Sequence, residues 1–425
     1  MKKSAFIVSP IVMALMIGSS ALHANEYSLS PIEELGEAIF HDTNLSINKN
    51  QGCVSCHDPK KGWSAGISEF NIDGTVHEGS IKRAFGNRKP PSSAYATLSP
   101  RFYADFGKRL IGEVNPNLAD SPRFIGGNFW DGRATGWKLG NSAADQSQGP
   151  FLNPVEHALP NPACVVQRVC KSSYVELFDT VWSPKICSNV ETKLLVDFCD
   201  IDDFGSYPPP MQNLVSQAYD RIALSIAAFE DSKASNAYTS KVDAFRAGMA
   251  SFTAQEERGR IIFRDEAKCV SCHTGAKGPG GAHPLLTDFS YSNIGTPPNP
   301  ENPSSEIDLG LGGFLETVPG YADYADANMG KMKVPTLRNV ALGSCEDAKN
   351  KGQQKKCISK TYMHNGYFKS LKSVVHFYNT RDRKPVCEEL GIDNATETIA
   401  LKNDCWPKPE VDENVETNIM GGLEV

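Results

Sequence analysis

The chain has no apolar run long enough to cross a bilayer. Its one candidate, from about Ala5 to Ile17, falls short of the roughly 18 residues that a spanning helix needs. Positive charge is also in short supply, with 43 Lys and Arg facing 50 Asp and Glu among 425 residues. That balance disfavours nucleic acid as a partner, because phosphate backbones are held by Lys and Arg. Histidine is scarce too, at 9 residues, and none accompanies Cys164, Cys170, Cys187, Cys199, Cys345, Cys357, Cys387 or Cys405 at ligand spacing. These eight cysteines therefore make a poor metal site.

What stands at the N-terminus is Met1-Lys2-Lys3, the short apolar stretch, and Ala21-Leu22-His23-Ala24. A basic start, an apolar core and small residues at a break are the marks of a secretory signal peptide, cleaved here after Ala24. The expectation is export to the periplasm, with no membrane span after cleavage. Loss of Lys2 and Lys3 leaves 41 basic against 50 acidic residues. In an oxidising compartment the eight cysteines read as disulfides. Proximity favours Cys164–Cys170, Cys187–Cys199, Cys345–Cys357 and Cys387–Cys405.

Two five-residue stretches organise the chain: Cys53-Val54-Ser55-Cys56-His57 and Cys269-Val270-Ser271-Cys272-His273. C-x-x-C-H attaches haem c, since two thiols three residues apart reach both porphyrin vinyl groups and the adjoining His lies beneath the iron. A pair of zinc half-sites is the rival reading, although zinc does not require His directly after the second Cys. Two covalent haem c groups are expected, on His57 and His273.

Pro31 to Phe40 reads as an amphipathic helix with Pro and acids in its first turn. Gly62 to Ser99 reads as loop. Residues 158–209 carry four cysteines and many prolines without periodicity, as expected of a disulfide-pinned insertion. Met211 to Glu230 places Val215, Ala218, Ile222, Ile226 and Phe229 on one helical face. Thr253-Ala254-Gln255-Glu256 is a capping box, and Ser370 to Tyr378 reads as a short helix. A helix before each C-x-x-C-H predicts a mainly α protein of two cytochrome-c-like domains with long loops. Their expected bounds are 25–240 and 241–425, after the leader at 1–24.

Between the two motifs stand Phe129-Trp130-Asp131-Gly132-Arg133, then Gln146, Gly149-Pro150 and Pro154-x-Glu156. Lys333-Val334-Pro335-Thr336-Leu337-Arg338-Asn339-Val340 and Tyr362-Met363-His364-Asn365-Gly366 follow later. Together these resemble the bacterial di-haem cytochrome c peroxidase family, which includes the MauG enzymes, from about Leu35 to Tyr378. The resemblance implies that hydrogen peroxide reacts at the first haem, with Glu156 as acid/base and Gln146 and Pro150 lining its pocket. Trp130 would relay electrons between the haems.

The helix ending at Tyr378 aligns with the segment whose Met binds the second haem in the family's peroxidases. Tyr resembles the MauG group at that place; a phenolate lowers the potential and stabilises higher oxidation states, whereas a thioether raises the potential. Met363 and Met332 are the other candidates. With Tyr378 as ligand, a protein side chain is the implied substrate. With Met, the donor would be a small c-type cytochrome or copper protein. A plain dihaem electron carrier is the non-enzymatic alternative. His77 lies where peroxidases carry a displaceable distal ligand, and His157 follows Glu156. The family's calcium site uses an Asn side chain; the matching residue is Lys89, which cannot serve, with Asn87 near it.

Overall fold

The computed structural model describes residues 28–65, 76–107, 122–193, 197–201, 203–304, 306–343 and 360–417. The expected leader and the Cys345–Cys357 pairing lie outside them. The described fold is mainly helical, as expected from the sequence.

Helix α1 (Pro31–His41) starts where the Glu33 carboxylate accepts from the Ser30 amide (2.6 Å) and hydroxyl (2.7 Å), relieving an unpaired donor at the terminus. Its Leu35, Ile39 and Phe40 are buried. A short turn of helix, α2 (Cys53–Cys56), carries the first haem motif. Helix α3 (Ser142–Leu152) is capped by the Asn141 carboxamide, which accepts from the Ala143 amide at 2.8 Å.

The segment expected to be an irregular insertion folds as α4 (Pro162–Cys170), α5 (Val175–Val181) and α6 (Lys185–Lys193). Val165, Val166, Val169 and Phe178 enter the main core, so burial supplies order that periodicity did not reveal. Two expected disulfides are corrected here: the bonds are Cys164–Cys199 and Cys170–Cys187, with Cα separations of 4.7 and 5.3 Å. Cys164 and Cys170 lie at the two ends of one helix segment, about 9 Å apart along its axis, beyond what a disulfide spans. Cys387–Cys405 forms as expected.

Helix α7 (Pro209–Asp231) closes this half by crossing α1. Gly36 is the crossing point. A Cβ there would overlap the Ser225 carbonyl oxygen and stand 2.8 Å from Phe229 Cβ. Phe229 in turn packs on Phe40 (5.4 Å between centroids) and Trp63 (5.7 Å), which ties the crossing to the loop after the haem motif.

In the C-terminal half the capping box at Thr253 opens the helix Ala254–Ile261. The helix Leu371–Thr380 is capped by Ser370. A second core of Tyr367, Phe368, Phe377 and Trp406 lies beside the Cys387–Cys405 bond. Among the described residues two antiparallel ribbons join this frame: β1 (Tyr103–Asp105) with β2 (Arg123–Ile125), and β3 (Tyr291–Ser292) with β4 (Met332–Lys333). A third cluster joins Phe102 and Phe124 to Tyr291, Leu311 and Leu315, so apolar packing continues across the expected boundary near 240. Among the described residues no helix is long and apolar enough to cross a membrane.

Gly36→Ala is expected to cost about 1–3 kcal/mol by overpacking the α1–α7 crossing. Gly259→Ala, on a helix face with nothing within 4 Å of the added carbon, should stabilise by about 0.5–1 kcal/mol. Denaturant titration of both variants checks the contrast.

Candidate active site

Both motif histidines are oriented alike. His57 Nδ1 donates to the Trp63 carbonyl at 3.1 Å, and His273 Nδ1 donates to the Leu286 carbonyl at 2.9 Å. Each bond leaves Nε2 as the electron-pair donor, the tautomer that a metal needs. Burial pushes the His57 imidazole down to about 4, helped by the Lys89 ammonium, so it stays neutral. Burial lowers His273 as well.

The four thiols Cys53, Cys56, Cys269 and Cys272 are outside any disulfide. Burial, with the Glu230 carboxyl second, pushes the Cys53 thiol up to about 12. The described residues contain no cluster of three or more His, Cys, Asp and Glu that could hold a metal ion. Paired free thiols with an Nε2 kept open fit covalent haem at both motifs.

A cavity of about 310 Å³ lies against the first motif, lined by Cys56, His57, Gln146, Pro150, Glu156 and Trp130 among others. Cys56 and His57, Trp130, and the stretch from Gln146 to Glu156 thus meet at one surface. Gln146 and Pro150 come from α3. Asn153, which ends that helix, turns the chain so that Glu156 faces the cavity; its Nδ2 donates to Glu156 Oε1 at 2.9 Å. Burial raises the Glu156 carboxyl above its ordinary range, partly opposed by the Arg133 guanidinium and the Asn153 hydrogen bond. Arg133 lies over the Phe129 ring at 4.0 Å and pairs with Asp131 at 2.7 Å. Its influence on Glu156 was not legible in the sequence, where it is simply the end of a motif.

Trp130 is buried at the wall of the same cavity. Its indole donates to the Lys89 carbonyl at 2.8 Å, and its own carbonyl accepts from the Lys333 amide at 2.8 Å. It is therefore pinned from both halves of the chain. The next residue, Asp131, accepts from Arg88 at 2.6 Å, and Arg88 also grips Asp308 with bonds of 2.5 and 2.6 Å. These partners, 220 residues apart, carry no sequence signal.

Tyr378 is apart from this cavity and close to the second motif. Burial raises its phenol, and the nearby Cys269 and Cys272 are the next contributors. Met363, by contrast, lines the first cavity. His77 is buried in the first cavity's wall; Gln51 Nε2 lies 3.4 Å from its Nδ1. His157 packs edge-on against Phe151 at 5.5 Å, inside the core. Lys89 is buried, with Nζ donating to Ser64 Oγ (2.9 Å) and the Pro90 carbonyl (3.2 Å). Burial lowers the Lys89 ammonium to about 7, and an amine that donates to these oxygens is no ligand for calcium.

A profile of the di-haem cytochrome c peroxidase family matches residues 30–251. The chain belongs to that family. It is 30% identical over 396 residues to a methylamine utilization protein MauG of Paracoccus denitrificans, covering 92% of this chain and 83% of the relative. It is 25% identical to a cytochrome c551 peroxidase of Nitrosomonas europaea, covering 94% and 91%. The fold resembles the crystal structure of the diheme peroxidase BthA from Burkholderia thailandensis, with a TM-score of 0.64 at 22% identity over 93% of this chain and 85% of that one. The chain is thus an enzyme of a peroxide-dependent haem oxidoreductase family that carries two haems.

If Glu156 serves as the base, peroxide reactivity requires its ionised form. The raised carboxyl then places the acid limb of the pH–rate profile above the usual carboxylate range near 4.3, with activity lost as pH falls through it. Arg133→Gln removes the opposing cation and should move that limb to still higher pH in stopped-flow measurements of the haem spectrum. A limb that stays in place would contradict the pairing.

Proposed function

We propose that this protein is an exported dihaem c enzyme that reduces hydrogen peroxide beside His57 and draws electrons through the His273 haem. The observation that carries this reading is Glu156 in one cavity with His57, Gln146 and Pro150. Covalent haem, when bound, supplies the redox-active iron at both sites. Glu156 takes a proton from the near oxygen of peroxide and returns it to the far oxygen, so that water leaves as the O–O bond breaks. Asn153 holds that carboxyl in position, and Arg133 keeps its ionised form accessible. Gln146 and Pro150 bound the space in which peroxide sits. Trp130, hydrogen-bonded to both halves, carries electrons between the two haem sites.

In this reading Tyr378 would hold the iron of the second haem together with His273, supported by its closeness to Cys269 and Cys272 and by the placement of Met363 in the other cavity. Such a haem is a poor acceptor from ordinary cytochromes and suits storage of oxidising equivalents. The MauG-like reaction, oxidation of a protein side chain, then follows. A conventional cytochrome c peroxidase, fed by a small c-type cytochrome or a copper protein, is the alternative if a Met binds. Export to the periplasm is supported by the N-terminal sequence and by the oxidised cysteine pairs.

Glu156→Gln is expected to slow the reaction of the ferric protein with peroxide by about 10²–10⁴-fold; an unchanged rate would favour a plain electron carrier. Tyr378→Met should raise the reduction potential of the second haem in a spectroscopic redox titration. An unaltered potential and spectrum would remove Tyr378 from the iron.

A further inference from the structure

Lys89 and Lys333 bring two amines to the wall of one cavity from opposite halves of the chain. Lys89 Nζ donates to Ser64 Oγ (2.9 Å) and to the Pro90 carbonyl (3.2 Å). Lys333 Nζ donates to Ser99 Oγ (2.7 Å), Asn128 Oδ1 (3.0 Å) and the Gly127 carbonyl. Every one of these acceptors is neutral. The carboxyls of the same cavity serve other groups: Glu78 accepts from the Arg83 amide at 2.5 Å, and Glu156 from Asn153 at 2.9 Å. Lys360, a third lysine of this wall, repels the Lys89 charge. An ammonium has three protons to donate. Lys333 places all three, whereas the third proton of Lys89 has no acceptor among the described residues. Burial lowers both amines to about 7, and a lone buried lysine can simply release its proton and stay as a neutral amine. Here, however, the open position of Lys89 lies beside a motif built for a porphyrin, and its charge reaches His57. Each haem c carries two propionate carboxylates. An ion pair offsets the cost of burying both charges when their other hydrogen bonds are already met, as Ser64 and Pro90 meet those of Lys89.

We propose that Lys89 is a haem-binding residue, its ammonium holding a propionate of the haem at the first motif. The proposal rests on covalent haem at His57 and on no step of the peroxide reaction. The backbone of Lys89 is fixed on both sides: its amide donates to the His364 carbonyl at 2.6 Å, and its carbonyl accepts from the Trp130 indole at 2.8 Å. The side chain therefore starts from a set position, and a bound carboxylate favours its charged form. The ammonium offsets the negative charge of the propionate near the iron, which favours the ferrous state. A fixed cation at Lys89 leaves this place without need of a divalent ion.

The test is a spectroscopic redox titration of the haem-loaded protein that follows each haem separately, after haem content has been read from the pyridine haemochrome spectrum. Lys89→Met removes the cation and should raise the ferric/ferrous ratio of the first haem at least tenfold at fixed potential, a midpoint lower by about 59 mV or more. Lys89→Arg keeps the charge and should hold the ratio within threefold of the parent protein. Lys333→Met, which removes an amine whose protons are all placed, should shift the ratio less than Lys89→Met does. Dialysis against EDTA should leave the first midpoint where it is. A shift below threefold in Lys89→Met overturns the proposal, as does a larger shift at the second haem, an equal shift in Lys333→Met, or a midpoint that EDTA moves. Two haems per chain with an unmoved midpoint remove only the Lys89 site; a first motif without haem removes the reading on which it rests.

Discussion

The structure depends most on the way Trp130 and Asp131 are held. The indole bond to Lys89 and the Arg88–Asp131 pair fix this corner within the N-terminal half, and the amide bond from Lys333 and the Arg88–Asp308 pair cross to the C-terminal half. Asp131 and Asp308 are buried, and buried carboxylates are costly unless paired. Separation of the halves would leave the buried Asp308 without Arg88, so the docked arrangement is specified strongly beside Trp130. In the proposed reading, where Trp130 relays electrons, a fixed ring at that junction gives a fixed path.

Electrostatics near the first motif follow from the same burial. The His57 imidazole is kept neutral and aimed by the Trp63 carbonyl, which suits a metal ligand. Glu156 is raised by burial but held back by Arg133, which suits a group that must both accept and return a proton. The opposite pressures on these two side chains come from one desolvated wall. Lys89 lies at the same wall, where burial lowers its ammonium to about 7 and Nζ donates to Ser64 Oγ and the Pro90 carbonyl.

Much of this was readable from the sequence because it depends on local chemistry. The two C-x-x-C-H motifs need only adjacent residues, and α1 and α7 declare themselves by apolar spacing and by the Ser30–Glu33 cap. The meeting of Glu156, Gln146 and Pro150 followed from a family pattern, not from periodicity. What escaped was set by tertiary contact. Most of residues 162–193 become helical because Val165, Val169 and Phe178 are buried against α7 and its neighbours, and the two disulfides here join elements rather than nearest cysteines. The Arg88–Asp308 pair and the approach of Lys89 and Lys333 to one cavity have no local signature, since each joins residues far apart in the chain.

The central claim, an open peroxide site at His57 coupled to a Tyr378-bound second haem, is tested most directly by EPR of the fully ferric protein. Spectra would be taken before and after one equivalent of hydrogen peroxide, with no reductant. The account predicts a high-spin ferric signal at rest and the joint disappearance of both haem signals on adding peroxide. Two low-spin irons that stay inert until one is reduced would contradict it, and would assign the first iron a second protein ligand such as His77.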